Sequence, residues 1–134
     1  MAAVETDKNG MIPLPNHLDF EAMLKPRGNR PSHQDLVEPI PTFHPWVVVS
    51  FSAKWCGPCQ KLDKKSLVAA TPAVKWYAVD VDENDTTLGY CGLKSIPSFV
   101  IIKDGVFKDR KSGAGSVEEV IAWLQSNGVP VETN

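Results

Sequence analysis

The chain has 134 residues, 43% of them apolar, with four Trp and five Phe, enough for one compact domain to bury a core without covalent staples. Fourteen basic and sixteen acidic side chains leave a formal charge of -2, too weak a field to gather nucleic acid or anionic membrane. The longest apolar run lies within residues 46–51, far short of the roughly 20 residues that span a bilayer, so a soluble protein is expected.

The opening "MAAVETDKNG" carries acidic residues and no apolar stretch, unlike a secretory signal or an Arg-rich transit peptide. A cytoplasmic monomer is expected, with an organellar location left open. Residues 1–45 hold seven of the eleven prolines, and proline interrupts regular structure. Within them "HLDFEAML" predicts a short helix capped by Asn16, with Leu18, Met23, Phe20 and Leu24 at near-helical spacing. Residues 25–45 read as a long connection, and "PLPNHL" and "EPIPTFHP" have a spacing suited to a partner domain or to a plain irregular loop.

From Trp46 the pattern sharpens. "WVVVSF" predicts a strand buried on both faces, and after Cys56 the residues Cys59, Leu62 and Ser66 fall on one helical face. "VKWYAVDVD" predicts a second buried strand, and "NDTTLGYCG" a short helix closed by Gly92. Two β-prone runs flank Asp104-Gly105, a dipeptide suited to a tight antiparallel hairpin. Ser116 and Glu119 form a capping-box pattern, Val117, Val120, Ile121 and Leu124 repeat at helical spacing, and Gly128 ends that helix. Strand, helix, strand, then hairpin and helix imply an α/β domain with one mixed sheet and helices on both faces. Residues 1–45 are expected as a Pro-rich extension partly packed on the domain, 46–128 as the domain and 129–134 as a tail.

Three cysteines, Cys56, Cys59 and Cys91, do not make a secreted disulfide framework. Closing Cys56 to Cys59 constrains only a small loop and adds little to stability. The pair could instead be half of a zinc site, but the other available ligands are Cys91, His17, His33 and His44, without paired spacing. A strand-to-helix junction favours redox chemistry, because a thiol attacks as its thiolate, and unpaired N–H groups in a first helical turn favour that anion. Gly57 and Pro58 hold the thiols within bonding reach, and Pro58 loses no hydrogen bond in a first turn. Cys56, beside Trp55, is expected to be exposed and nucleophilic. Cys59, almost one turn later, is expected to point inward and to resolve the mixed disulfide. Cys91 reads as a small buried hydrophobe, and the histidines as surface or loop residues.

Trp55-Cys56-Gly57-Pro58-Cys59 resembles the active-site turn of the thioredoxin family. Four further stretches follow in the family's order: "VDVDEN", "SIPSF", "IKDG" and "SGAGS". The resemblance covers about residues 46–128 and implies a thioredoxin fold with a central four- or five-stranded sheet. It also implies a protein disulfide reductase that needs no metal or organic cofactor, acts on protein disulfides and is recharged by a separate reductase. It implies a cis bond at Ile96-Pro97 and an apolar substrate patch of Trp55, Ile96, Pro97, Gly113 and Ala114. Three positions depart from the family. Ser50 stands where a buried Asp assists proton transfer, and Ala78 where that Asp has a Lys partner. Lys64 replaces a kinking proline, which predicts a straighter active-site helix; in this the tract is similar to thioredoxin-like domains of disulfide-interchange proteins. The competing readings are an interaction module that works mainly through partner binding, and an oxidant or isomerase. The potentials of this scaffold run from about -270 to about -120 mV.

Overall fold

The computed structural model describes residues 5–25 and 43–132. His33, the PxxP-like "EPIPTFHP" and most of the predicted 25–45 connection lie outside or only partly inside them. The elements in chain order are β1 (Ile12–Pro13), α1 (His17–Glu21), β2 (Trp46–Ser52), α2 (Gly57–Lys61), α3 (Lys64–Ala70), β3 (Lys75–Asp80), α4 (Thr87–Tyr90), β4 (Ser98–Lys103), β5 (Val106–Ser112) and α5 (Val117–Ser126).

One five-stranded sheet runs in the order β1-β3-β2-β4-β5. β1, β3 and β2 are mutually parallel, whereas β4 and β5 join antiparallel. The parallel step from β2 to β3 is made by α2 and α3, since parallel neighbours cannot be joined by a tight turn. The strand order and the helices on both faces give the expected α/β, thioredoxin-type architecture. β2 lies between β3 and β4, and its inner five residues are all buried, which explains why its sequence is continuously apolar rather than alternating.

Alternate β2 side chains feed two cores. On one face Val48 packs with Leu67 of α3 and with Val120 and Leu124 of α5. On the other, Val47, Val49 and Phe51 pack with Phe20 of α1. The β4–β5 hairpin turns at Asp104 and Gly105, both at positive φ (51° and 81°), the backbone that a two-residue turn of this hand demands. Ser116 caps α5 by accepting from the Glu119 N–H at 3.1 Å. The Glu119 carboxylate, however, pairs with Lys111 at 3.0 Å.

Three local features differ from expectation. β1 is a strand in the Pro-rich region, recruited because Ile12 and Pro13 align beside Tyr77 and Ala78. Asn16 caps α1 as expected, accepting from the Asp19 N–H, but Leu18 is 75% exposed and Phe20 alone in that helix is buried. The active-site helix is not straighter. It is interrupted at Leu62 and Asp63, whose ψ angles of 124° and 82° are not helical. Proline is not needed for the break, because Asp63 caps the new helix, accepting from the Ser66 N–H at 3.1 Å and from its hydroxyl at 2.6 Å. The bend lets both Leu62 and Leu67 enter one core.

Candidate active site

β2 ends beneath the cysteine turn. Ala53, the residue after the strand, shares a small buried cluster with Cys56 and Cys59, and its carbonyl accepts from Gln60 Nε2 at 2.8 Å, tying α2 to the strand end. Cys56 is the N-cap of α2, with extended backbone, and Pro58 occupies the first turn. The Cys56 sulfur accepts from the Cys59 N–H at 3.2 Å, a bond that favours charge on that sulfur. The two cysteines are joined as a disulfide, with Cα atoms 5.3 Å apart.

The expected exposure of Cys56 needs correction. Cys56 is 5% exposed and Cys59 not at all, so the first cysteine is the more accessible of the two but is nearly covered. The covering groups include Ile96 and Val81, packed on the pair. The exposed member of the motif is Trp55, at 68%. Its indole N–H donates to Asp82 at 3.0 Å. Asp82 went unrecognised in the sequence because nothing local marks a residue 27 positions away as a partner.

The Ile96-Pro97 bond is cis, and the Pro97 carbonyl accepts from the Gly113 N–H at 2.8 Å. The two loops that the family resemblance assigns to one patch are therefore joined. Ala114 lies in a groove of about 300 Å³ shared with Pro58, Lys61 and Leu62. Trp55, Ile96, Pro97, Gly113 and Ala114 thus come from three separate segments around the turn.

Ser50 and Ala78 are register partners across β2 and β3, so the two departures sit side by side. Ser50 is 1% exposed, and its hydroxyl has no hydrogen-bond partner among the described residues. Both line a cavity of about 480 Å³ that also meets Ser52, Ala53, Gln60 and Lys64. Lys64 is buried, and its ammonium donates to the Ser52 hydroxyl at 3.1 Å. Burial pulls the Lys64 pKa down, with Asp7 acting upward and Lys8 downward.

Cys91 lies in the core with Leu93 and Phe20, apart from the pair. Burial pushes its thiol up to about 12, with Arg110 acting in the opposite sense. His17 is on α1, within hydrogen-bond reach of Thr87 and Glu21. His44 accepts from the Trp46 N–H. Among the described residues no group of three or more His, Cys, Asp or Glu is placed to hold a metal ion, and no helix is long and apolar enough to cross a membrane.

A mixed sheet that delivers a bonded Cys-x-x-Cys pair to a helix start, under a cis-proline loop, defines a thiol-disulfide oxidoreductase. The thioredoxin family model matches residues 32–126, and the chain belongs to that family. It is 34% identical to a thioredoxin of Gallus gallus over 113 residues, covering 81% of this chain and 93% of the other. It is 44% identical to a thioredoxin of Geodia cydonium over 61 residues, 44% of this chain and 58% of that one. The solved thioredoxin of Fasciola hepatica superposes with a TM-score of 0.65 at 28% identity, covering 87% of this chain and 99% of the other.

Proposed function

We propose that this protein reduces disulfides in other proteins through Cys56 as nucleophile and Cys59 as resolving thiol. The observation that carries the reading is the Cys59 N–H donating to the Cys56 sulfur at 3.2 Å, which stabilises a thiolate on the cysteine that is also the less buried of the two.

The reaction starts from the dithiol. The Cys56 thiolate attacks one sulfur of the substrate disulfide, a Cys56–substrate bond forms, and the other substrate sulfur leaves as a thiolate that takes up a proton. Cys59 then loses its proton and attacks Cys56. The Cys56–Cys59 bond forms and the second substrate sulfur departs as a thiolate that likewise takes up a proton. Two electrons and two protons have passed to the substrate, and the pair itself carries the electrons without metal or organic cofactor. A separate reductase returns the disulfide to the dithiol.

Trp55, Ile96, Pro97, Gly113 and Ala114 form the substrate patch in this reading. The backbone beside Pro97 receives an extended segment, a recurring mode of peptide recognition, and Ile96 lies against the pair. Residues 46–128 carry the exchange chemistry, with 1–45 an extension and 129–134 a tail. The protein acts as a cytoplasmic monomer.

The test is turnover of a protein disulfide with dithiothreitol as electron donor, alongside trapping by Cys59→Ser. The expected result is catalysed reduction, abolished by Cys56→Ser, and accumulation of mixed disulfides on Cys56 in Cys59→Ser. Absence of catalysed reduction by the unaltered protein overturns the reading, as does partner retention independent of both cysteines, which marks an interaction module.

A further inference from the structure

Ser50, Ser52, Ala78 and Lys64 line one cavity of about 480 Å³, and no step of the exchange reaction uses it. Ser50 and Ser52 stand two residues apart on β2, so both side chains face the same side of the sheet. The Lys64 ammonium donates to the Ser52 hydroxyl oxygen at 3.1 Å, which leaves the Ser52 hydrogen and two ammonium hydrogens to donate elsewhere. The Ser50 hydroxyl, 1% exposed, has no hydrogen-bond partner among the described residues. Lys64 is itself only 8% exposed, and among the described residues no carboxylate forms an ion pair with it. The buried end of the cavity is therefore rich in donors and carries one positive charge. That combination costs free energy until an acceptor of opposite charge meets it.

We propose that this cavity binds a small organic monocarboxylate, its two oxygens held by the Lys64 ammonium and the Ser50 and Ser52 hydroxyls and its apolar body lying against Met11 and Ala78. One negative charge answers the single buried positive charge. Two residues of strand advance about 6.6 Å, a span that hydrogen bonds of about 2.7 Å to the two oxygens of one carboxylate bridge. A carboxylate beside the ammonium also offsets the burial that pulls the Lys64 pKa down, because an adjacent anion favours the charged amine. The cavity volume lies within the range of small-molecule sites. Binding of this kind requires no chemistry at the cysteine pair.

Charge at the rim selects against anions of higher charge. Asp7, Asp80 and Glu83 line the cavity together with Lys8 and Lys54, and all five are exposed or partly exposed. One Asp7 oxygen accepts from the Asn9 and Met11 N–H groups, and one Asp80 oxygen from the Asp82 N–H, so both carboxylates are partly committed to their own turns. Water screens these rim charges more than it screens the buried ammonium. A monoanion is therefore admitted, whereas a phosphate dianion meets three carboxylates for one buried cation. Met11 is fully buried and Ala78 half-buried, which suits an alkyl body better than a second charged end.

The experiment uses the full chain in its disulfide form. Backbone amides are followed by two-dimensional NMR during titration with butyrate, with inorganic phosphate and butylamine as comparison probes at equal ionic strength. Butyrate should give saturable shifts at Ser50, Ser52 and Ala78, and neither comparison probe should. Lys64→Met should weaken butyrate binding by about tenfold or more, and Ser50→Ala by about two- to tenfold, as loss of a charged and of a hydroxyl donor to a carboxylate implies. Should Lys64→Met fail to fold, Ser50→Ala and Ser52→Ala carry the same comparison. The proposal is overturned if butyrate gives no saturable shifts, if phosphate or butylamine binds as tightly, or if butyrate affinity is unchanged in folded Lys64→Met or in Ser50→Ala. The titration reads binding alone, so its failure is distinguishable from a failure of the substrate-trapping test.

Discussion

The indole N–H of Trp55 is shared between the two carboxylate oxygens of Asp82, at 3.0 and 3.3 Å. A large apolar ring 68% exposed would otherwise sample several rotamers. The carboxylate fixes one of them beside the cysteine turn, so the ring is pre-organised for a partner. Asp82→Ala should therefore lower kcat/KM for a protein disulfide by about two- to tenfold, the worth of one charge-assisted hydrogen bond at an exposed site. The loss should fall mainly on KM, with the melting temperature little changed. Steady-state kinetics with a protein disulfide and with a small-molecule disulfide check this, because only the larger substrate should register the loss.

Cys91 should be chemically silent. Burial pushes its thiol up to about 12, against the opposing pull of Arg110, so the reactive thiolate is scarce at neutral pH. Iodoacetamide should modify Cys91 only after unfolding. The linkage has a definite sign. The folded thiol holds its proton above the pH at which an unfolded one, near 8.5, releases it, so the stability this contributes is complete below about pH 8.5 and falls as pH rises toward about 12. Cys91→Ala should flatten that alkaline decline in denaturant titrations.

At the helix break, Asp63→Ala should lower the urea midpoint of unfolding, because it removes the N-cap of α3. The carboxylate accepts from both the backbone and the hydroxyl of Ser66, and Asp63→Asn should recover most of the loss. Urea unfolding with an unchanged m-value is the check.

Asp109 links β5 to α5. One of its oxygens accepts from Trp123 Nε1 at 2.9 Å and from Asn127 Nδ2 at 3.0 Å. Burial pushes this carboxyl up, but the hydrogen bonds from Asn127, Trp123 and the Arg110 N–H, aided by Lys108, outweigh burial and hold it below its ordinary value. A depressed pKa means stability present above about pH 4 and lost as pH falls through the folded value. Asp109→Ala should cost about 1–3 kcal/mol at neutral pH, and the difference from the unaltered protein should shrink in acid. Denaturant titrations at pH 7 and at pH 3 measure both.

Wherever the determining interactions are local, the primary structure was legible. The apolar run of β2 announced a strand covered on both sides, Asp104-Gly105 announced the hairpin, and Ser116, the spacing of Val120 and Leu124, and Gly128 announced α5 and its end. The active-site turn was legible for the same reason, since Cys56 capping the Cys59 N–H is a contact across three residues. A straighter active-site helix is the expectation when Lys64 stands in place of a kinking proline, but the chain breaks at Leu62 and Asp63 without one. Only the capping geometry of Asp63 distinguishes a broken helix from a straight one.

The sequence by itself determined the fold class and the cysteine pair, because turn chemistry, caps and periodicity act over a few residues, and its resemblance to the thioredoxin family marked the loops around the pair. The tertiary structure alone decided that Ile12 and Pro13 join the sheet, that Cys56 is nearly covered, that Asp82 holds Trp55, and that the Lys64 ammonium meets the Ser52 hydroxyl. Each of these depends on the meeting of segments far apart in the chain. Such a meeting is set by how the two cores close around β2, and no local pattern of residues encodes it.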